Sequence, residues 1–119
     1  MPTPVITSWL TADTFLRSRN GTTLPCRRVR GIRSTTLVRL PGEAIAVKYH
    51  GTAVVIYYRT GGIMVTSGGF KTKTTKARIN RFASENVHSR RFVWYFGNGD
   101  LFVDNVILGT IRQRSFVFA

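Results

Sequence analysis

The segment SGGFKTKTTKARINRF, Ser67 to Phe82, gathers the residues of this chain best suited to holding an anion. Gly68 and Gly69 let the backbone come close to something bulky, because glycine adopts angles that other residues resist. Thr72, Thr74 and Thr75 place hydroxyls where a helix should start, and a helix start also offers backbone N–H groups without intrahelical partners. Lys71, Lys73 and Lys76 add point charges, while Arg78 and Arg81 add forked donors that match phosphate oxygens. Upstream, Arg27, Arg28, Arg30 and Arg33 form a second cationic group. The plainer alternative for the downstream segment is a surface helix whose threonines close its own end and whose cations are solvated. The two basic groups together favour a phosphate-binding face.

Catalytic constellations are sparse by comparison. The five acids are scattered, and Asp100 and Asp104 alone lie close together; an aspartate in a Gly-Asn-Gly-Asp turn is ordinary turn chemistry rather than half of a cation site. His50 and His88 have no carboxylate or cysteine nearby in sequence, so neither reads as a general base or a ligand. No phosphate-binding glycine loop, nucleophile elbow or His-Glu-x-x-His pattern occurs. Cys26 is the sole cysteine, which rules out an internal disulfide and a cysteine-based zinc site, and suits a reducing compartment or an intermolecular bridge. The expectation is a protein without enzymatic activity, metal or cofactor.

Charge is the strongest compositional signal. The chain carries 18 Lys and Arg against five Asp and Glu, a net charge of +13 over 119 residues. Residues 14–84 hold 14 of the cations and a single acid, Glu43, so this stretch carries the whole excess. Concentrated positive potential attracts phosphate polymers and speeds their association. Hydrophobic residues at 43% and aromatics at 12% separate the chain from a disordered basic tail. At this length it is expected to form one soluble domain with its own core. The beginning shows no cationic start followed by a long apolar run, and the apolar stretches are strand-sized, so neither a signal peptide nor a membrane partner is expected.

The elements needed to position these residues can be outlined. Residues 5–16 have the spacing of a short helix or an irregular strap. Residues 24–40 suggest one or two strands, closed by the turn signal Pro41-Gly42. Ala44 to Tyr49 and Thr52 to Arg59 read as strands, with Gly51 marking a bend or bulge between them. Thr60-Gly61-Gly62 reads as a tight hairpin turn into Ile63 to Thr66. Thr75, Ile79, Phe82 and Ala83 then form one stripe of an amphipathic helix over residues 73–84, with Thr72 or Thr74 as its N-cap. Phe92 to Phe96, Gly97-Asn98-Gly99-Asp100 and Leu101 to Val103 signal a hairpin, and 106–111 and 116–118 supply one or two further strands. The expected fold is α+β and mostly β: an antiparallel sheet or partly open small barrel of about six to eight short strands with one amphipathic helix. Tyr49, Tyr57, Tyr58 and Phe70 offer stacking surfaces if exposed, though strand aromatics more often fill cores.

The run HGTAVVIYYRTGGIMVTSGGFKTKTTKARINRF resembles a family of small, functionally uncharacterised proteins of tailed double-stranded DNA bacteriophages. The family pattern is a His-x-Thr before an apolar strand, a tight turn, a second strand and an SGG-aromatic-x-T-x-TTK-x-RIN signature. Here it falls on His50, Thr52, Gly61, Gly62, Ser67, Gly68, Gly69, Phe70, Thr72, Thr74, Thr75, Lys76, Arg78, Ile79 and Asn80. Two positions depart from it: Phe70 stands where the family has Trp, and the turn lacks an Asp before Gly. The resemblance implies a phage origin, action in the host bacterial cytoplasm during infection, and one structural or functional unit built from His50, Thr52, Gly68, Gly69, Phe70, Thr72, Asn80 and their neighbours. It implies no established activity. The leading expectation is a non-enzymatic DNA- or RNA-binding protein that contacts phosphates with little sequence readout. The alternatives are a host-takeover or anti-defence protein that binds a bacterial protein or nucleic-acid machine, and a minor virion component.

Overall fold

β-Branched and aromatic residues concentrated between positions 44 and 66 form the centre of an antiparallel sheet, as their preference for a pleated, half-buried surface dictates. The computed structural model describes residues 5–17, 20–69, 71–83, 86–91, 93–96, 99–108 and 116–118. The sheet runs β1 (Cys26–Arg28), β2 (Thr35–Arg39), β3 (Ile45–Tyr49), β4 (Thr52–Tyr57), β5 (Ile63–Val65), β8 (Val106–Leu108) and β9 (Phe116–Phe118), in that spatial order. Between β5 and β8 in sequence come α2 (Lys73–Ala83) and a two-stranded ribbon of β6 (His88–Arg90) and β7 (Val93–Tyr95). The order of the large sheet is open, with β1 and β9 at its edges, so the sheet alternative holds and no barrel closes.

One face of the sheet carries the core. Register aligns Leu37, Val47 and Val55 across β2, β3 and β4, and Ile45 with Tyr57 two residues along. All five are fully buried, together with Ile79, Phe82 and Ala83 of α2 and Ala12 of α1 (Trp9–Phe15). The 3.6-residue stripe expected of α2 is the face that packs: Thr75, Ile79, Phe82 and Ala83 are its buried residues. Residue 84, the expected last residue of that helix, lies outside the described residues. A second helix, α1, resolves the ambiguity of residues 5–16, and its capping box on Ser8 and Thr11 explains where it starts. Tyr57 ties the layers together by donating its hydroxyl to the Phe82 carbonyl at 2.5 Å, with the Ile6 carbonyl 3.2 Å away. Phe82 sits in the last turn of α2, where carbonyls lack intrahelical donors, so the tyrosine supplies the missing bond.

Two local features differ from the expected pattern. His50 and Gly51, both left-handed (φ 52 and 81), make a two-residue hairpin turn between β3 and β4, where a bend or bulge at Gly51 is expected. The bulge lies instead at Val54, where register shifts from Val47 opposite Val55 to Lys48 opposite Ala53. The consequence is functional: one extra residue reverses the alternation, so Thr52 falls on the helix-bearing face opposite Tyr49. An unbulged strand would turn Thr52 to the opposite side of the sheet.

The chain reverses between Phe96 and Asp100 as expected, but Leu101 to Val103 returns through an isolated bridge rather than as a strand, and Val93–Tyr95 pairs with β6 instead. Phe96 donates its N–H to the Asp100 carbonyl (2.8 Å), Phe102 donates to Trp94 (2.9 Å), and Tyr95 bridges Leu101. Residues 92, 97 and 98 of that hairpin lie outside the described residues. No helix among the described residues is long and apolar enough to cross a membrane.

Candidate functional site

The β3–β4 turn, the Ser67-Gly68-Gly69 loop and the start of α2 enclose a cavity of about 330 Å³. Tyr49, His50, Thr52 and Val54 line it from the sheet, Ser67 from the loop, and Thr72, Thr74 and Thr75 from the helix. Five hydroxyl side chains of Ser and Thr and one imidazole therefore converge on a space without a carboxylate in its wall. Gly68 makes this geometry possible. Its φ is +64°, and a Cβ there would stand 2.3 Å from Thr52 Cγ2, so only glycine lets the loop lie on β4.

Most of the polar groups around the cavity are already tied together. Thr72 is the N-cap of α2: its Oγ1 accepts from the Thr75 N–H at 3.2 Å and lies 2.9 Å from the Thr75 hydroxyl and 3.2 Å from that of Thr74. Asp104 accepts from the Ser67 N–H (2.6 Å) and Oγ (3.0 Å), which anchors the loop. That role explains Asp104 without a cation: its carboxylate faces Ser67. Gly69 donates its N–H to Ser67 Oγ at 3.2 Å, and Gly68 donates to Thr66 Oγ1 at 3.1 Å.

Beside the cavity, Arg78 joins the two basic stretches. Its Nε donates to Thr35 Oγ1 at 3.0 Å and its Nη2 to the Arg33 carbonyl at 3.2 Å, while the guanidinium lies 5.0 Å from the Tyr49 ring centroid. His50 reinforces the junction by donating its N–H to the Ser34 carbonyl at 3.0 Å, and its ring sits 4.4 Å from that of Tyr49. The loop of residues 29–34, which bears exposed Arg30 and Arg33, is thereby held against the helix. Arg81 is exposed one turn beyond Arg78 on the same flank, and Lys71 and Lys73 are exposed at the helix start.

Other members of the expected set lie apart. Arg27 donates to the Phe15 carbonyl (2.9 Å) and stacks 4.4 Å above the Phe15 ring, at the end of α1. Arg28, its neighbour on β1, points to the opposite face of the sheet by strand alternation. Lys76 turns toward the β6–β7 ribbon, donating to Ser89 Oγ at 3.0 Å with Trp94 5.9 Å away. Asn80 also faces that way: its Nδ2 donates to the Val87 carbonyl at 2.9 Å and its Oδ1 accepts the Val87 N–H at 2.5 Å. The unit of His50, Thr52, Gly68, Gly69, Thr72 and Asn80 thus divides, with Asn80 a structural clamp and the others around the cavity. Phe70 lies outside the described residues. Of the other aromatics, Tyr57 is core, Tyr58 is half-buried with its hydroxyl toward Met64, and Tyr49 alone stands beside the site.

Among the described residues, two carboxylates are ion-paired away from the cavity. Asp13 pairs with Arg17 (3.0 Å) and Arg39 (2.7 Å), and Glu43 with Arg59 (2.6 Å). None of the nine Lys and Arg residues singled out from the sequence takes part in an ion pair among the described residues. Thr35, Val54 and Asp104 complete the site and escaped the sequence reading as site residues, whereas Tyr49 is the one of the four expected stacking aromatics seen to line it. Strand register places Thr35 and the bulge places Val54, while Asp104 comes from the turn ahead of β8; no local motif marks any of them.

The profile of the Kyanoviridae Gp96 protein family matches residues 27–116, and the chain belongs to that family, one of tailed phages and of unknown function. No curated protein and no solved structure matches.

Proposed function

We propose that this member of the Kyanoviridae Gp96 family binds nucleic acid through its phosphates, without catalysis and with little sequence readout, inside the infected host cell. The observation that carries the reading is the Arg78 junction, which ties the backbone of Arg33, 45 positions away in sequence, and with it the loop that bears Arg30, to α2. Lys71, Lys73, Arg78 and Arg81 extend that surface along the helix. Guanidinium and ammonium groups that have no ion pair among the described residues can neutralise successive phosphates. The hydroxyl-lined cavity offers neutral hydrogen bonds to a phosphate oxygen, and Tyr49 offers a ring at its edge.

Binding of this kind releases condensed counterions, so affinity must fall steeply with salt. The test is fluorescence anisotropy of a labelled oligonucleotide, single- and double-stranded, titrated with the protein across a salt series. The reading predicts a steep negative slope of log affinity against log salt. Arg33→Glu and Lys73→Glu should each flatten that slope by about one unit or slightly more, because each removes a phosphate contact. An affinity that barely changes with salt contradicts it.

A further inference from the structure

The β6–β7 ribbon carries a second surface of different chemistry. Register pairs His88 with Tyr95, Ser89 with Trp94 and Arg90 with Val93, so alternate residues face opposite ways. Trp94 turns inward and is buried with Phe96 and Phe102. The outer side therefore shows His88 beside Tyr95 and Arg90 beside Val93. The Tyr95–Leu101 bridge adds Leu101 to the first row, and continuing that register sets Val103 beside Val93 in the second. Val93, Leu101 and Val103 are 40%, 58% and 37% exposed, three of the five large apolar side chains so exposed among the described residues. Arg91, held at φ 52 in the turn, joins Arg90, Val93 and Tyr95 around a cleft of about 470 Å³. The His88 and Tyr95 rings stack 5.9 Å apart along the same face.

We infer that this outer face is a docking site for a partner protein that presents an apolar side chain flanked by carboxylates. The inference is independent of phosphate binding at α2. Aliphatic side chains have nothing to offer a phosphate, whereas Tyr and Arg around exposed apolar residues, with Lys depleted, is the composition of protein interface centres. Residues 86–108 contain no lysine at all, in contrast to the start of α2. Arg90 and Arg91 have no ion pair among the described residues, so they supply the charge to be complemented. A second copy is a poor complement: the chain has five acids, of which Asp13 and Glu43 are ion-paired and Asp104 holds Ser67. The partner's acidic groups meet the two guanidiniums while its apolar side chain enters beside Val93 and Tyr95.

The test is selection of a random short-peptide library on the full chain, with excess oligonucleotide present to occupy the cationic surface. The binders should combine Asp or Glu with large apolar residues. They should bind at least about tenfold more weakly to Arg90→Glu/Arg91→Glu and to Leu101→Ser, and equally well to Lys73→Glu. Thermal melts of each variant establish that the fold is retained, since the substituted side chains are exposed. Enrichment of peptides lacking carboxylates, binding indifferent to the ribbon variants, or no enrichment overturns the inference. So does an oligonucleotide affinity that falls as far with Arg90→Glu/Arg91→Glu as with Lys73→Glu, which assigns the face to nucleic acid. A dimer in sedimentation that Leu101→Ser abolishes also overturns it, in favour of self-association.

Discussion

Gly68 and Thr52 show how tightly single residues constrain the cavity wall. An alanine at position 68 meets two penalties, a left-handed backbone and a contact of 2.3 Å with a β-branched methyl that has little freedom to rotate. Gly68→Ala should destabilise the protein by about 2 kcal/mol. Thr52→Ser deletes the methyl and keeps the hydroxyl, so in the double variant roughly half of that loss should return, as urea unfolding would measure. Strict additivity of the two substitutions would mean that the methyl is not the obstacle. Asp13 illustrates a different constraint. Burial pushes its carboxyl up, and hydrogen bonds from Arg39 and Arg17 outweigh burial, leaving it below the ordinary carboxylate value. A depressed native pKa stabilises the fold above the unfolded value of about 3.9, and that contribution fades as pH falls through the lower native value. Asp13→Asn should therefore cost about 2 kcal/mol at neutral pH, since half-buried Arg39 loses its partner, and should flatten the acid limb of a stability–pH curve. The exposed Glu43–Arg59 pair, more than 60% accessible on both sides, should contribute less than about 1 kcal/mol.

At the scale of elements, the parts that announced themselves in sequence are those whose local pattern and tertiary role agree. The stripe of α2 is buried as spaced, and β3, β4 and β5 form where β-branched residues cluster. The β6 strand was silent, because His88-Ser89-Arg90 is exposed throughout and carries no strand pattern; pairing with Val93–Tyr95 alone defines it. The Val54 bulge was equally hidden, being an ordinary valine in a run of apolar residues. Whether Asn80 is structural or functional was open in the sequence, because its clamp partner, Val87, lies beyond the helix, in the loop ahead of β6. Asn80→Ala leaves both backbone groups of Val87 without their side-chain partner, at a cost of about 2 kcal/mol. Amide exchange at Val87 should rise with it, while exchange in β3 and β4 tracks only the global loss. Unchanged protection at Val87 would show that the clamp is dispensable.

Over the whole molecule, cations fall into regions with different surroundings. Arg78 of α2 holds the 29–34 loop, Lys76 turns to the β6–β7 ribbon, Arg27 and Arg28 diverge at the sheet edge, and Arg90 and Arg91 flank the exposed apolar side chains of the ribbon. Composition disclosed the excess charge, and the chain order disclosed that residues 14–84 hold it. The partition among surfaces was not legible, because it depends on Arg78 reaching Arg33 and Thr35 across 45 and 43 positions. The central claim is that the 29–34 loop and α2 form a single phosphate-binding surface. Its most direct test maps an oligonucleotide onto the isotope-labelled protein by amide chemical-shift changes at moderate salt. The account predicts that amides of residues 30–35 and 71–81 shift together, with one shared affinity, and that those of 88–95 stay still. Shifts scattered over the molecule, or confined to one of the two stretches, would contradict it.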